Sequence, residues 1–347
     1  MRIEHLKTVD GFIAFDLDGA RISAGGTRYA PDVTEDEAAL LARAMTYKFA
    51  VLHREVGGAK GAVRGAPADK DALMADYCAE IAPLVRSATF LTGPDLGTSE
   101  ADFTPLRDPS APRSVMATTI GNVAIEDLVT GFGVVVAAET AMGSVDGTTF
   151  AIEGFGKVGG GVAREAVRRG ARVVGVSTLE GCVFDPSGLD IEQLLSVRQA
   201  YGDSFVCHIG ARFDADPAAL FDVDADVLVP GARTGVIDAD VAGRLKTRWV
   251  VPASNVPYTR DAIDVMRTRR VRYLPDFVCN AGATIGYTSD APTPGELFRH
   301  VEKTIMTLMS QAAADPRGPF EGGCAIAESY IETWRGAEGL PEGPPLA

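Results

Sequence analysis

The chain has 347 residues, 46% of them hydrophobic, and its 47 acidic and 33 basic side chains leave a formal charge of −14. That length accommodates two domains, each with a core of its own, and the acidic balance argues against DNA, RNA or an anionic membrane surface as partner, since those draw on Lys and Arg to displace counterions. No window approaches the run of about 18 apolar residues that a membrane span needs, and Met1-Arg2-Ile3-Glu4-His5 lacks the apolar core of a signal peptide, so a cytoplasmic protein is expected.

Short strands open the chain, followed by a helix over residues 35 to about 50 whose start carries the capping-box pattern Thr34-x-x-Glu37. On that helix Lys48 falls in register with Leu41, Ala44 and Met45, on the apolar face. Either its stem snorkels out to water or its ammonium points somewhere protected. Next comes Val56-Gly57-Gly58-Ala59-Lys60-Gly61-Ala62-Val63, a lysine held among glycines and leading into a strand. Such a backbone lets a ligand come close. Lys60 is either a solvated hairpin lysine or, in a desolvated cleft near another cation, an amine that loses its proton readily enough to act as a general base. The loop Thr92-Gly93-Pro94-Asp95-Leu96-Gly97-Thr98 then sets one carboxylate among turn-formers, ahead of a helix that Thr98 or Ser99 could cap. Asp95 is a turn residue or a proton carrier.

A helix over 124–142, stopped by Gly143, leads to the turn signal Asp146-Gly147 and a β-rich run ending Phe150-Ala151-Ile152-Glu153. Directly after it stand Gly154, Gly156 and Gly159 at GxGxxG spacing. Gly154 permits a tight turn, Gly156 lets backbone approach a phosphate, and Gly159 lets the next helix pack on the strand, so a dinucleotide pyrophosphate would face that helix's N-terminus. The helix over 157–169 ends at Gly170 and a buried strand over 171–177 follows, which completes a βαβ unit. Further along, helices near 190–200 and 259–268 alternate with strands at 226–229, 249–251 and 271–274. This alternation indicates an open, mostly parallel sheet, and the fold class is α/β with two domains. Thr293-Pro294-Gly295-Glu296 starts a helix to about 314, another is expected near 325–334, and the Gly- and Pro-rich tail 336–347 reads as disordered at its end.

The five cysteines stand singly, without CxxC pairs or histidines at ligand spacing, so neither a zinc site nor a disulfide framework is expected. Of the four histidines, only His53 lies near a lysine of interest. Two lysines and a carboxylate upstream of a dinucleotide site suit the oxidation of an amino acid. One cation takes the carboxylate, one amine activates water, and one acid moves protons on nitrogen.

In order and number these segments resemble the glutamate/leucine/phenylalanine/valine dehydrogenase family, from about Gly25 to Tyr287. Gly25-Gly26-Thr27-Arg28 resembles its GG-x-R segment, with Gly26 on the substrate side. Ala44-Met45-Thr46-Tyr47-Lys48 is similar to the segment whose lysine grips the substrate α-carboxylate, and Gly57-Gly58-Ala59-Lys60-Gly61 to the one that supplies the catalytic lysine. Gly93-Pro94-Asp95-Leu96-Gly97-Thr98 looks like the segment of the catalytic aspartate. Val129-Thr130-Gly131-Phe132-Gly133-Val134 resembles the helix whose threonine lies near the nicotinamide. The segments of Gly231 and Ala232, of Asn255, and of Asn280 look like those lining the cofactor and substrate, Asn280 helping to place the amino group.

The resemblance implies oxidative deamination of an L-amino acid with NAD or NADP. Lys60 and Asp95 would be catalytic, Gly26, Lys48 and Asn280 would bind substrate, and the turn Gly154-Phe155-Gly156-Lys157-Val158-Gly159 would bind the cofactor. It also implies a substrate domain of residues 1–122 and 292–347, a dinucleotide-binding domain of 123–291, hinge closure between them, and a homo-oligomer.

Two positions depart from the family. Glutamate-specific members carry a lysine before GG-x-R, and here Ala24 stands there, which disfavours an acidic side chain. The second strand of the βαβ unit ends Ser177-Thr178-Leu179-Glu180, without the usual acid at Thr178. Glu180 could reach the ribose and favour NAD, while the Ser177 and Thr178 hydroxyls would admit a 2′-phosphate. A related oxidoreductase acting on another amine or hydroxy acid, or a dinucleotide-binding regulator without turnover, are the alternatives.

Overall fold

The computed structural model describes residues 1–108, 114–120 and 123–347. Asn122, the expected end of the first domain, lies outside the described residues. The chain forms two compact units, one of Met1–Arg113 and Cys324–Pro345, the other of Ser114–Gly323 and Leu346–Ala347.

The first unit holds β1 (Arg2–His5), β2 (Gly11–Phe15), β3 (Ser23–Ala24), β4 (Thr27–Tyr29), α1 (Glu35–Val51), β5 (Gly57–Val63), α2 (Lys70–Arg86) and β6 (Phe90–Leu91). Its sheet runs β1-β2-β5-β3-β6, with β4 also on β5; β1, β2 and β5 pair antiparallel, while β3 and β4 run parallel to β5. The period-2 alternation of β2 sends Phe12 and Ala14 to one face, where Ala38 and Ala42 of α1 pack, and Ile13 and Phe15 to the other, where Met74, Tyr77 and Ile81 of α2 pack. α1 presses hard on β5: a Cβ at Gly58 would lie 1.9 Å from the Ala42 carbonyl. The sequence pattern suggested no element over 70–86, although the buried residues of α2 recur at helical spacing.

In the second unit β7 (Thr119–Ile120) pairs antiparallel with β8 (Val123–Ala124), and the chain continues as α3 (Ile125–Met142), β9 (Thr149–Glu153), α4 (Lys157–Arg168), β10 (Arg172–Thr178), β11 (Gly181–Phe184), α5 (Ile191–Tyr201) and β12 (Arg212–Asp214). Then come β13 (Val227–Pro230), α6 (Ala239–Arg244), β14 (Trp249–Val250), α7 (Arg260–Arg269), β15 (Arg272–Tyr273), α8 (Asp276–Cys279), α9 (Gly282–Tyr287) and α10 (Pro294–Ala312). The strand order is β12-β11-β10-β9-β13-β14-β15, parallel from β10 to β15, with β11 and β12 added antiparallel at one edge. The sheet is the open, mostly parallel one expected. Its order reverses at β9, with β10 on one side and β13, the next parallel strand in the chain, on the other, and the glycine turn leaves the carboxyl end of β9.

Helix α11 (Pro319–Arg335) starts before the expected 325, because Pro319 serves a first turn well. α10 packs on α3, with the rings of Phe132 and Phe298 5.0 Å apart, and groups with the second unit. The tail is not loose at its end: the Ala347 N–H donates to the Tyr258 carbonyl at 2.9 Å and its carbonyl accepts from Arg260. Of the five cysteines four are buried and Cys207 is exposed; all are free thiols. Among the described residues no helix is long and apolar enough to cross a membrane, and no group of three or more His, Cys, Asp or Glu could hold a metal.

Candidate active site

In the first unit Lys60 sits in the middle of β5, inside the strand rather than ahead of it, and is 2% exposed. Its Nζ meets Asp95 Oδ1 at 2.8 Å. The loop of Asp95 is tied to β4 and to itself: the Thr27 N–H donates to the Gly93 carbonyl, and the Asp95 N–H donates to Thr98 Oγ1 at 2.8 Å, whose own proton reaches the Thr27 carbonyl. Ser99, not Thr98, caps the 3₁₀ turn that follows. Arg28 of β4 donates its Nε to Asp95 Oδ2 at 2.9 Å and its Nη1 to Glu37 Oε1 at 2.6 Å. Four charges of alternating sign therefore run Lys60, Asp95, Arg28, Glu37.

Burial drives the Lys60 pKa below the ordinary lysine range; Asp95 pulls against this and Arg28 adds to it. Burial would raise the pKa of Asp95, but the charges of Lys60 and Arg28 outweigh it and hold the carboxyl far below its usual range. Lys48 of α1 is buried too, at 5% exposure, so its stem does not run out to water. Gly26 is half-buried, immediately before Thr27.

In the sequence Arg28 is one residue of the GG-x-R segment with no role of its own, and Glu37 is only the second member of a capping box. Thr34 Oγ1 does accept the Glu37 N–H, but the Glu37 carboxylate turns to Arg28 instead of back to the helix start. A charged donor outcompetes a backbone N–H for a carboxylate.

In the second unit Gly154 has φ +83°, a conformation that side chains resist, and a Cβ at Gly159 would lie 2.2 Å from the Gly154 carbonyl. The turn is thus a cradle of missing side chains, closed by Gly156 as N-cap and by the open amides of Lys157, Val158 and Gly159 in the first turn of α4. These features fit a dinucleotide pyrophosphate. The Phe155 N–H is taken by the Ser177 carbonyl at 2.8 Å and its ring packs against Phe205. Lys157 is exposed, 3.8 Å from Asp127.

Thr130 is buried on α3, its hydroxyl 3.4 Å from the Glu126 carbonyl. Ser177 and Thr178 are both buried. Thr178 Oγ1 donates to the Asp203 carbonyl at 2.8 Å and accepts the Glu180 N–H, while the Glu180 side chain lies at the surface. The amides of Gly231 and Ala232 both donate to Glu153 Oε2 at 2.8 Å. Sequence reasoning missed Glu153, whose only signal was an acid at the buried end of β9. Burial raises its pKa, with the two amides and Arg233 opposing. Asn280 Nδ2 donates to Asn255 Oδ1 and to the Ser254 carbonyl, both at 3.0 Å, leaving Asn280 Oδ1 a buried acceptor without a hydrogen-bond partner.

A family model described as glutamate/leucine/phenylalanine/valine dehydrogenase matches residues 121–288, and one described as Glu/Leu/Phe/Val dehydrogenase, dimerisation domain, matches residues 1–109. The glutamate dehydrogenase of Thermotoga maritima is 33% identical over 284 residues, 76% of this chain and 68% of that protein. The NADP-specific glutamate dehydrogenase of Saccharolobus shibatae is 29% identical over 306 residues, 81% and 70% of the respective chains. The structure of a hetero-hexameric glutamate dehydrogenase from Thermus thermophilus, in a leucine-bound form, is similar with a TM-score of 0.73 at 25% identity, covering 91% of this chain and 82% of that one.

Proposed function

The chain belongs to the glutamate/leucine/phenylalanine/valine dehydrogenase family of NAD(P)-dependent amino acid dehydrogenases, and from that premise we propose that it oxidatively deaminates an L-amino acid with a non-acidic side chain to the 2-oxo acid and ammonia, and catalyses the reverse amination. The pair of buried Lys60 and half-buried Asp95 carries this reading. Lys60 is an amine whose surroundings favour loss of its proton, so it takes a proton from the water that adds to the imine carbon. Asp95, an anion under two cations, moves protons to and from the substrate nitrogen. Lys48 pairs with the α-carboxylate, Gly26 lies on the substrate side with its missing Cβ admitting the Asp95 loop, and Asn280 Oδ1 accepts from the amino group. When bound, NAD(P) supplies the hydride acceptor. The turn Gly154 to Gly159 would hold its pyrophosphate, Ser177, Thr178 and Glu180 its ribose side, and Thr130, Gly231, Ala232 and Asn255 the remainder.

The preference for a non-acidic side chain rests on Ala24. It lies in β3 in register with Gly58 of β5, the strand that carries Lys60, and offers a methyl where an acidic substrate would need a cation. A desolvated carboxylate left without its partner loses on the order of several kcal/mol. The division into a substrate domain of 1–122 and 292–347 and a dinucleotide domain of 123–291 is functional and need not follow compactness. We further propose a cytoplasmic homo-oligomer. Incubation with a panel of L-amino acids and each cofactor, following nicotinamide absorbance, tests the reaction. Turnover of apolar or polar neutral amino acids above glutamate supports it, and reduction with none of them overturns it.

A further inference from the structure

We propose that Arg28 is a positioning residue for the reaction: it holds Asp95 by Oδ2 while this carboxylate meets Lys60 through Oδ1, and Glu37 holds Arg28 in turn. This inference rests on the reading of Lys60 as the general base. Its structural ground is the placement of three charged partners by three separate elements. β4 lies parallel to β5 with Arg28 in register with Ala62, α1 brings Glu37 from its first turn, and the loop after β6 brings Asp95. The side chain of Arg28 is only 12% exposed, so its two contacts are not the loose pairings of a surface arginine.

The physical reason lies in what happens to Asp95 when Lys60 is neutral. A buried carboxylate that loses its sole cation is strongly disfavoured. If Lys60 were the only partner, the pair would resist deprotonation and the amine would be locked as an ammonium. The guanidinium of Arg28 cannot lose its proton and engages Asp95 by geometry. Asp95 therefore stays paired through both protonation states of Lys60, and the amine is free to take a proton from water and pass it on. Glu37 tunes the arrangement, since it withdraws part of the positive field of Arg28. The charged groups set around Lys60 are Asp95, Arg28 and Glu37; Lys48, on the same helix as Glu37, is the other buried lysine of this unit.

The test measures the protonation of Lys60 directly. Trace acetylation with acetic anhydride, read at the Lys60 peptide by mass spectrometry across pH, is compared with the pH profile of kcat/KM for the full-length protein and its Arg28→Gln, Arg28→Lys and Glu37→Gln variants. Activity falls on the acid side because an ammonium cannot accept a proton. In Arg28→Gln both the labelling curve and the acid limb should move to higher pH by about one unit or more, with a ~10-fold loss of kcat/KM at neutral pH. Arg28→Lys, which restores charge without the fork, should recover part of that movement. Glu37→Gln should move both curves the opposite way, to lower pH.

A folded Arg28→Gln protein with unmoved curves overturns the proposal. Should that variant fail to fold, Glu37→Gln decides, and an upward or absent movement there overturns it. A parent protein that turns over no amino acid refutes the proposed reaction. The labelling curves still decide the role of Arg28.

Discussion

The two units build their sites from opposite materials. The first gathers charge and withdraws it from water, a chain of four side chains, Lys60 buried and the others half-buried, from β5, β4, α1 and the loop after β6. The second removes side chains, so that backbone amides and a helix N-terminus face a ligand at the carboxyl end of β9. The difference teaches that proton chemistry needs groups whose charge state is perturbed, which only burial and neighbours provide, whereas holding a diphosphate needs close approach and fixed dipoles. A mutation in one unit should therefore leave the other's task intact.

Lys60→Ala should break the contrast most sharply, lowering kcat by on the order of 10³-fold. Dinucleotide affinity, measured by quenching of protein fluorescence, should be unchanged; a parallel loss of both would mean the tasks are not separable. Gly159→Val should give the mirror image. Its added atoms meet the Gly154 carbonyl, so dinucleotide affinity should fall by ~10²-fold or more, while the Lys60 peptide keeps its labelling curve. Ala24→Lys sharpens the comparison within the first unit. Adding a cation to β3 should raise kcat/KM for glutamate relative to neutral amino acids by roughly 10-fold or more, and an unaltered ratio in a competitive turnover assay would remove Ala24 as a determinant.

The smallest effect belongs to Glu153→Gln. The folded-state pKa of Glu153 is raised, so its ionised form costs stability, and that cost grows as pH rises from the unfolded value of about 4.3 through the folded value. Replacing it with an amide that still accepts from Gly231 and Ala232 should raise Tm slightly near neutral pH, with the gain vanishing in acid. Thermal unfolding at several pH values checks the sign.

Much of the fold was legible because its signals are local. Thr34 marks the start of α1, Gly143 the end of α3, and Gly154, Gly156 and Gly159 the junction of β9 with α4, each within one turn of the boundary it sets. α2 carries an apolar face at helical spacing, but no side-chain cap hydrogen bond opens it and Pro83 stands inside it, so its boundaries carry no local signal. In the candidate site the residue types were legible and their partners were not. Lys60 and Asp95 stood out as motifs, but Arg28 read as part of a glycine segment and Glu153 as the end of a strand.

By itself the sequence determined the periodicities, the turns and the glycine spacing, because these depend on φ and ψ preferences and on neighbours a few residues away. Only the tertiary structure decided that Arg28 reaches Asp95, that Glu37 leaves its capping role for Arg28, and that Glu153 binds the amides of Gly231 and Ala232. Two of those contacts join residues more than sixty positions apart and the third spans two separate elements, and their strength comes from the exclusion of water, which exists only once strands and helices have closed around them.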